Sequence, residues 1–387
     1  MSKTVAEVRA EFPEISDEFV YFDNSATTFK PLSVIEAVDD YYRKHNSNVH
    51  RGIYDLSVRA TELYEGARKI IKDFVGADDS YEVIFTRNTT EAINVVAQGL
   101  ELTQDDEVIV SDREHHSNLL PWNKNGTIIK NFIPNENLDD LQSKLNERVK
   151  VISTTAWSNV LGKITNLQEI LELAKQSEKI TLVDAAQWVI NEKVSMKNID
   201  FLAFSGHKMY APMGIGVLVA RRELLKMMKP VFYGGDMVEY VHSADDFALA
   251  DIPHRFEAGT PNIGGVVGLT AAINWIKENG YFTDEKHELY RYAREQMRSI
   301  PHVYLLPGDD IICFTVEDVH PHDVAQCLNN DHIFVRSGYH CAQPILEKLG
   351  CGPVTRVSLA CYNTHEEIDR FLMSLKNVRQ KMGIANV

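Results

Sequence analysis

Short apolar runs rich in β-branched residues recur along the first half of the chain, and they constrain the fold more than any other feature. They predict strands at 83–85, 108–110, 149–152, 180–183, 201–204 and 216–220. Patterns with helical periodicity separate some of them, at 57–75 and at 167–175. Apolar strands that alternate with helices are typical of a mainly parallel sheet covered on both faces. Such a sheet binds its ligands at the carboxyl ends of the strands.

The pattern changes in the last quarter of the chain. Strands are predicted at 311–316, 334–336 and 356–360, between helical segments. A final helix is expected to begin at Thr364, because Glu367 three residues later completes a capping box. We therefore expect a large domain over residues 21–277 and a small α+β domain formed by residues 1–20 and 278–387. A long helix at about 265–279 is expected to join them.

The composition excludes several classes of protein. Hydrophobic residues make up 44% and charged residues 25% of the 387 residues, which is too apolar for intrinsic disorder. The formal net charge of −15 argues against nucleic-acid or membrane-surface binding, but it leaves room for a local cationic pocket for a small anion. The N-terminus is charged throughout, and no run approaches the roughly 20 apolar residues of a membrane helix. We therefore expect a cytoplasmic protein.

Two predicted strands end in groups that together suit a cofactor. Lys208 follows one strand, behind Ser205 and His207, and partial burial there lowers an amine's pKa and frees its lone pair. Asp184 ends another strand, with Gln187 three residues on. Taken separately, Lys208 fits a surface lysine and Asp184 a helix N-cap. Together they supply what pyridoxal 5′-phosphate needs, an amine for its aldehyde and a carboxylate for its ring nitrogen, with the serine and histidine as candidate anion ligands.

A further strand, turn and helix start meet at Asn88, Thr89 and Thr90. Free backbone N–H groups and hydroxyls at a helix start bind phosphate, and we expect Asn88 to adopt a positive φ in the turn. The alternative is simple N-capping by one of the threonines. His115 and His116 follow the next strand, but adjacent side chains diverge and no other ligand has matching spacing, so no metal site is expected. An imidazole stacked on a cofactor ring fits His115 better.

A glycine-bearing loop presents Cys341 beside His340 and close to an arginine, which makes this thiol a candidate nucleophile. The five cysteines show no C-x-x-C spacing, so we expect free thiols in a reducing compartment. Cys313 and Cys327 lie in apolar periodic runs and fit buried structural thiols. Arg356, on a predicted strand, is a candidate bidentate clamp for a carboxylate, although an isolated arginine is more often a surface residue.

These segments belong to an ordered series of motifs. The series is DNSATT at 23–28, NVHRG at 48–52, SVRAT at 57–61, TTEAIN at 89–94, EHHSN at 114–118, SNVLG at 158–162, SGHK at 205–208, RFEAGTPN at 255–262 and HCAQP at 340–344. On these motifs the chain resembles the SufS-type (group II) cysteine desulfurases of the class V aminotransferase family, over nearly its whole length. The resemblance implies a homodimeric fold-type I pyridoxal-phosphate enzyme, with a mainly parallel seven-stranded sheet in a large domain and a small α+β domain.

The resemblance also implies a role for each matching residue. Lys208 matches the lysine that bonds to the cofactor aldehyde, Asp184 the partner of the ring nitrogen, and His115 the imidazole stacked on the ring. Gln187 matches the contact to the ring oxygen. The implied phosphate ligands are Thr89, Thr90, Ser205, His207 and, from the other subunit, Thr260. The implied substrate-carboxylate site is Ala26, Asn159 and Arg356. Cys341 matches the nucleophile that takes the sulfur.

The activity implied is removal of sulfur from L-cysteine, which gives L-alanine and a persulfide on Cys341. The sulfur then passes to an acceptor protein of SufE or SufU type for Fe–S cluster assembly. Alternatives are a selenocysteine lyase, another class V lyase or transaminase, a hydrolase that uses Cys341 with His340, and a non-enzymatic binding scaffold.

The sequence departs from the family pattern at positions that concern the acceptor-facing surface and substrate access. Tyr339 stands where a second histidine often precedes the His340-Cys341 pair. Trp157 and Trp188 are bulky neighbours of the predicted site, and segment 121–148 looks shorter than usual.

Overall fold

Strands and helices alternate along the chain, as the sequence predicts. The computed structural model describes residues 3–124, 126–134 and 138–384. Its strands are β1 (Val20–Tyr21), β2 (Tyr81–Thr86), β3 (Glu107–Ser111), β4 (Ile128–Phe132), β5 (Val149–Thr155), β6 (Trp157–Ser158), β7 (Gly162–Lys163), β8 (Ile180–Asp184), β9 (Phe201–Ser205), β10 (Gly216–Arg221), β11 (Val238–Ser243), β12 (Asp246–Leu249), β13 (Val303–Leu305), β14 (Ile312–Val316), β15 (Ile333–Phe334), β16 (Arg336–Gly338) and β17 (Val354–Val357).

Its helices include the long α3, which ends at the left-handed Gly76 as the sequence predicts. The α-helices are α1 (Val5–Arg9), α2 (Leu32–Asp40), α3 (Asp55–Val75), α4 (Thr89–Gly99), α5 (Asp139–Lys144), α6 (Leu167–Gln176), α7 (Arg222–Met227), α8 (Ile263–Asn279), α9 (Thr283–Arg298), α10 (Pro321–Asn330), α11 (Gln343–Lys348), α12 (His365–Lys376) and α13 (Val378–Lys381). Among the described residues, none of these helices has the length and apolar content to cross a membrane.

The predicted mainly parallel sheet is confirmed. It has seven strands in the order β2-β10-β9-β8-β5-β3-β4, and only β10 runs antiparallel to its neighbours. Its strands are apolar on both faces because helices cover both. In β9, Leu202 and Phe204 pack into the cluster that contains α3 and α8, whereas Phe201 and Ala203 pack into the cluster that contains α4. The carboxyl ends of the parallel strands therefore meet at one edge.

A second sheet carries the last quarter of the chain. Its four antiparallel strands follow the order β13-β14-β17-β16, and α9, α10 and α12 pack against it through a separate apolar cluster. The predicted capping box at the start of α12 is present, with Thr364 Oγ1 accepting from Glu367 N. The predicted strand at 334–336 forms two strands instead, because Phe334 pairs with β1 while Arg336 pairs with β17.

The predicted positive φ of Asn88 is wrong. Its φ is −172°, which is extended backbone, and its side chain caps α4 by accepting from Glu91 N at 2.9 Å. The N-cap geometry requires the extended conformation, so the asparagine serves the helix and not a left-handed turn. The alternative that Thr89 or Thr90 caps this helix is wrong for the same reason, since both lie within α4.

Candidate active site

A cavity of about 330 Å³ lies at the carboxyl edge of the seven-stranded sheet. It brings together residues that the sequence scatters over more than three hundred positions, because the strand ends and the Cys341 loop meet there. The predicted site residues that line it are Ala26, Thr89, Thr90, His115, Asn159, Asp184, Gln187, Ser205, His207, Lys208, Cys341 and Arg356.

One end of the cavity is built from hydroxyls and the first turn of α4. Thr89 N donates to Ser205 Oγ at 2.8 Å, the Oγ1 of Thr89 lies 2.6 Å from the same atom, and Thr90 Oγ1 lies 2.7 Å from Ser117 Oγ. Gly216 permits this approach, since a Cβ there would lie 2.5 Å from Asn88 Cα. Hydroxyls and free N–H groups at a helix N-terminus form a cradle suited to a phosphate dianion.

Lys208 and Asp184 face the same cavity from neighbouring strand ends. Burial lowers the pKa of the Lys208 amine, against the opposing effect of Asp184. Burial also raises the pKa of the Asp184 carboxyl, while a hydrogen bond from Ala186 N at 2.9 Å and the charge of Lys208 favour its ionised form. The cavity thus pairs an amine that loses its proton readily with a buried carboxylate.

His115 lines the cavity as a neutral imidazole. Burial, and then the charge of Lys208, lowers its pKa to about 3. Ser117 N donates to Nδ1 at 3.1 Å, so the ring proton is on Nε2. The sequence reasoning did not single out its neighbour Glu114, although this residue begins the EHHSN motif. Glu114 is 4% exposed and fixes this loop by accepting from Thr155 N at 2.7 Å and from Asn118 Nδ2 at 2.6 Å. Burial raises the pKa of Glu114 to about 8.

The Cys341 loop presents an exposed thiol on a tightly held backbone. His340 and Cys341 have φ values of 51° and 54°, in the left-handed region. Two hydrogen bonds anchor their carbonyls: His116 N donates to Cys341 O at 2.7 Å, and Asn159 Nδ2 donates to His340 O at 2.8 Å. By contrast, Cys313 and Cys327 are buried, as expected.

The His340 ring is directed into the fold. Its Nε2 lies 3.1 Å from Val354 O, and its Nδ1 is buried without a hydrogen-bond partner among the described residues. Burial lowers the pKa of His340 to about 3. A ring held in this way is poorly placed to act as the base for Cys341, so the geometry does not favour the cysteine–histidine hydrolase.

Arg356 lies at the wall of the cavity and is 2% exposed. Its Nη1 donates to Asn159 O at 3.2 Å and its Nη2 to Asp23 Oδ1 at 3.0 Å. In the part of the chain that the structure describes, Arg356 Nε and Asn159 Oδ1 are buried without hydrogen-bond partners. Ala26 lies nearby in the same lining, next to Ser25, whose carbonyl accepts from Gln187 Nε2 at 2.8 Å. An arginine with an unused donor beside an unused amide oxygen suits a substrate that carries both a carboxylate and an amine.

Asp23 is a site residue whose role the sequence reasoning missed. Its carboxylate also accepts from Arg336 Nε at 3.0 Å, so it joins Arg336 and Arg356. The available signal was its place at the start of the DNSATT motif.

Some predicted residues lie elsewhere or beside the site. Thr260 lines a different cavity together with Phe232 and Tyr233, so its expected role from a second subunit stays a prediction. Trp157 lines the site, whereas Trp188 is buried and donates from Nε1 to Glu192 at 2.8 Å. Tyr339, at the rim of the Cys341 loop, is 38% exposed. Within segment 121–148, residues 125 and 135–137 lie outside the described residues.

Comparison with known proteins agrees with this arrangement. The family model for aminotransferase class-V matches residues 20–371. A probable cysteine desulfurase of Halalkalibacterium halodurans is 40% identical and covers 97% of this chain and 98% of its own, and one of Staphylococcus aureus is 40% identical with 97% of each chain covered.

Solved structures agree as well. The apo cysteine desulfurase of Thermococcus onnurineus superposes with a TM-score of 0.92 at 38% identity, over 98% of this chain and 100% of that one. The cysteine desulfurase CsdA of Escherichia coli, in its S-sulfonic acid form, gives a TM-score of 0.90 at 34% identity, with the same coverage. The predicted fold-type I architecture is thereby confirmed, and the chain belongs to the class-V aminotransferase family, among its cysteine desulfurases.

Proposed function

We propose that this chain removes sulfur from L-cysteine with pyridoxal 5′-phosphate as cofactor, releases L-alanine and keeps the sulfur as a persulfide on Cys341. The observation that carries the proposal is that Lys208, Asp184 and an exposed Cys341 line one cavity. A transaminase needs the first two but has no use for a thiol there. By resemblance, we further propose the SufS type of desulfurase.

The residues present fit the cofactor. Lys208 would hold its aldehyde, Asp184 its ring nitrogen, and His115 and Gln187 its ring. The phosphate would take the cradle formed by Thr89, Thr90, Ser205 and His207, where the hydroxyls and the start of α4 supply donors. When bound, pyridoxal phosphate supplies an electron sink for charge that develops on the substrate Cα.

The chain's own groups account for substrate binding and proton movement. Arg356 binds the substrate carboxylate with its guanidinium, whose Nε has no hydrogen-bond partner among the described residues, and Asn159 Oδ1 orients the substrate from the same wall. The Lys208 amine, whose pKa burial lowers, takes the proton from Cα and returns it. The neutral His115, with its proton on Nε2, can pass a proton within the cavity.

The sulfur step balances without an added oxidant or reductant. The thiolate of Cys341 attacks the substrate sulfur, an S–S bond forms, and the bond between the substrate Cβ and its sulfur breaks. The electron pair of that bond remains with the carbon, which gains a proton and leaves as L-alanine. Cysteine and an enzyme thiol thus give alanine and an enzyme persulfide. We propose a SufE- or SufU-type protein as acceptor, with Fe–S cluster assembly as the destination.

A homodimer is proposed on two grounds. Large apolar side chains are exposed at the start of α3 and along the β11–β12 hairpin, among them Ile53, which is 98% exposed, Tyr54, Val58, Tyr240 and Val241. Apolar surface of this kind is typical of a protein interface. Thr260 lies outside its own chain's active-site cavity, which suits a ligand donated across such an interface.

We also propose that residues 21–277 form a large domain and residues 1–20 with 278–387 a small one. Each sheet has its own apolar cluster, which supports the division, although Phe12 packs against Trp275 and so contacts both parts. The cytoplasmic location expected from the sequence stays a prediction.

The proposal is tested by incubating the purified protein with pyridoxal phosphate and L-cysteine. We expect a visible absorption band from the bound cofactor, alanine released in proportion to enzyme, and a mass increase of one sulfur on the peptide that contains Cys341. Release of pyruvate, or a sulfur adduct on another cysteine, would contradict it. A protein that takes up no pyridoxal phosphate would favour a binding scaffold instead.

A further inference from the structure

A second, larger cleft of about 880 Å³ lies between α9 and the residues around β7, among them Leu161, Lys163 and Thr165. One face of α9 lines it through residues at helical spacing, including Arg291, Arg294 and Arg298. Its floor is the 307–310 loop, where Gly308 packs so closely on the main chain that a Cβ would lie 2.4 Å from Leu161 O. The cleft is therefore a built feature of the fold.

The charged side chains of this cleft are unequally paired. Two ion pairs are present, Lys348 with Asp112 and Lys163 with Glu192 outside the lining, and Asp310 contacts the His287 ring, which carries a charge only when protonated. Within the described ranges, the guanidinium groups of Arg113, Arg291 and Arg298 form no ion pair or hydrogen bond. Only two lining carboxylates, Glu295 and Asp309, are also unpaired there, and both are exposed. The cleft thus has a surplus of positive charge in a chain of net charge −15.

Arg294 is the most telling of these cations because it is 6% exposed. Its Nη2 donates to Leu306 O at 2.8 Å and its Nη1 to Ile311 O at 3.3 Å, which fixes the side chain at the floor of the cleft. Its Nε is buried without a hydrogen-bond partner and its guanidinium forms no ion pair among the described residues, so the exposed Asp309 acts on it only from beyond contact distance. A buried guanidinium with no carboxylate in contact and an unused donor is costly unless an anion joins it.

We propose that this cleft binds a small polyanion, either phosphate-bearing or polycarboxylate, between Arg113 on one side and the arginines of α9 on the other. The cleft volume lies in the range of about 300–1,000 Å³ that small-molecule sites occupy. Arginine forks recognise phosphate and carboxylate oxygens with two parallel hydrogen bonds. Asp112 Oδ1, in the same lining, is a buried acceptor with no donor among the described residues, so a ligand with an O–H group fits best.

The test is isothermal titration calorimetry on the cofactor-loaded protein, freed of excess pyridoxal phosphate so that the phosphate cradle is filled. Sodium pyrophosphate and sodium citrate are the two probes. We expect saturable binding of one molecule per chain, weakened at least about tenfold by Arg113→Gln and by Arg291→Gln. Neither side chain forms a hydrogen bond or ion pair in the described structure, so both variants should fold, which their cofactor spectra will check.

Lys376→Gln is the matched control, because it removes one exposed positive charge from α12 without touching the cleft. Its affinity should equal that of the parent, and Arg291→Lys should recover part of the affinity that Arg291→Gln loses. Binding of pyrophosphate alone would identify a phosphate-bearing ligand, and binding of citrate alone a polycarboxylate. Absence of saturable binding for both probes would overturn the proposal, as would equal weakening by the control.

Discussion

Asp23 accepts a hydrogen bond from Nη2 of Arg356 at 3.0 Å, and this contact sets the orientation of the guanidinium in the cavity wall. Nη1 donates to Asn159 O, while Nε is buried and has no hydrogen-bond partner among the described residues. Asp23 also binds Arg336, so two arginines are joined by one acid.

Arg356→Lys should therefore raise the KM for L-cysteine on the order of tenfold or more, since a charge-assisted pair is worth roughly 1.5–3 kcal/mol and lysine cannot reproduce its geometry. The cofactor absorption should not change. Steady-state kinetics on both variants checks this, with Arg370→Lys as control, because that side chain lies on α12, outside the active-site lining, and donates to Asp17 O. An unaltered KM would remove Arg356 from the substrate site.

Lys208→Ala should abolish the visible absorption of bound pyridoxal phosphate and the label that borohydride reduction leaves on the protein. The competing amine in the structure is Lys30, whose pKa burial lowers to about 8 and whose Nζ lies 3.2 Å from His207 O. Lys30→Ala should keep the label. Peptide mapping of the reduced protein distinguishes the two lysines, and a label on Lys30 would contradict the assignment of Lys208 as the lysine that bonds to the cofactor.

Cys341→Ser should keep pyridoxal phosphate but release little alanine from L-cysteine and form no persulfide, because an unactivated hydroxyl is a far weaker nucleophile than a thiolate. Selenocysteine turnover can persist, since selenium leaves with less help. Cys351→Ser is the matched control: its thiol is partly exposed and lies past α11, outside the active-site lining. Alanine release at the parent rate by the Cys341 variant would favour a lyase or transaminase.

Glu114→Gln should change how stability depends on pH. Because the folded pKa of Glu114 is about 8 and its ordinary value is 4.5, the folded protein keeps a proton that the unfolded chain releases. Between these two pKa values, Glu114 therefore lowers the free energy of unfolding as the pH rises, by up to about 1.4 kcal/mol per pH unit.

The stability that the protonated Glu114 contributes is fully present below the pKa of the unfolded chain, and it is lost as the pH rises through the pKa of the folded protein. The glutamine variant lacks it. Urea unfolding of both proteins between about pH 5 and about pH 8 should therefore show that the free energy of unfolding of the variant rises relative to that of the parent as the pH rises. A constant difference across the range would contradict the raised pKa.

Gly216→Ala should weaken cofactor binding and destabilise the protein by about 1–3 kcal/mol, because the new Cβ would overlap Asn88 and push the start of α4 away from Ser205. Gly66→Ala is the control. Its Cβ would meet nothing within 4 Å inside α3, so it should stabilise the helix by about 0.5–1 kcal/mol and leave the cofactor affinity alone. Cofactor titration and thermal unfolding measure both effects, and equal behaviour of the two variants would contradict the packing argument.

The sequence predicted the central strands well because their residues are apolar on both faces, which leaves a clear pattern. It missed β4, an edge strand in which only Phe132 is buried and which carries polar residues, and it could not show that β10 runs antiparallel. The predicted strand at 334–336 is also divided in two, because its residues pair with different strands, and no local sequence pattern reveals those partners.

The site was predictable where residues follow strands or match motifs, as at Lys208 and Asp184. Contacts between distant segments were not. The pairing of Asp23 with Arg356 and the burial of the His340 ring depend on how the two sheets pack together. Asn88 was mistaken for a turn residue because asparagine serves both turns and N-caps.

The Cys341 loop forms hydrogen bonds to residues on the side of each of the two sheets. His116 and Asn159 hold its carbonyls from the side of the seven-stranded sheet, while the His340 ring holds Val354 of the four-stranded sheet. A rotation of one sheet against the other must either break one of these bonds or carry the sulfur along. The position of the Cys341 sulfur is therefore tied to the relative placement of the two sheets, and a variant that loses one of these hydrogen bonds would free the thiol from one of them.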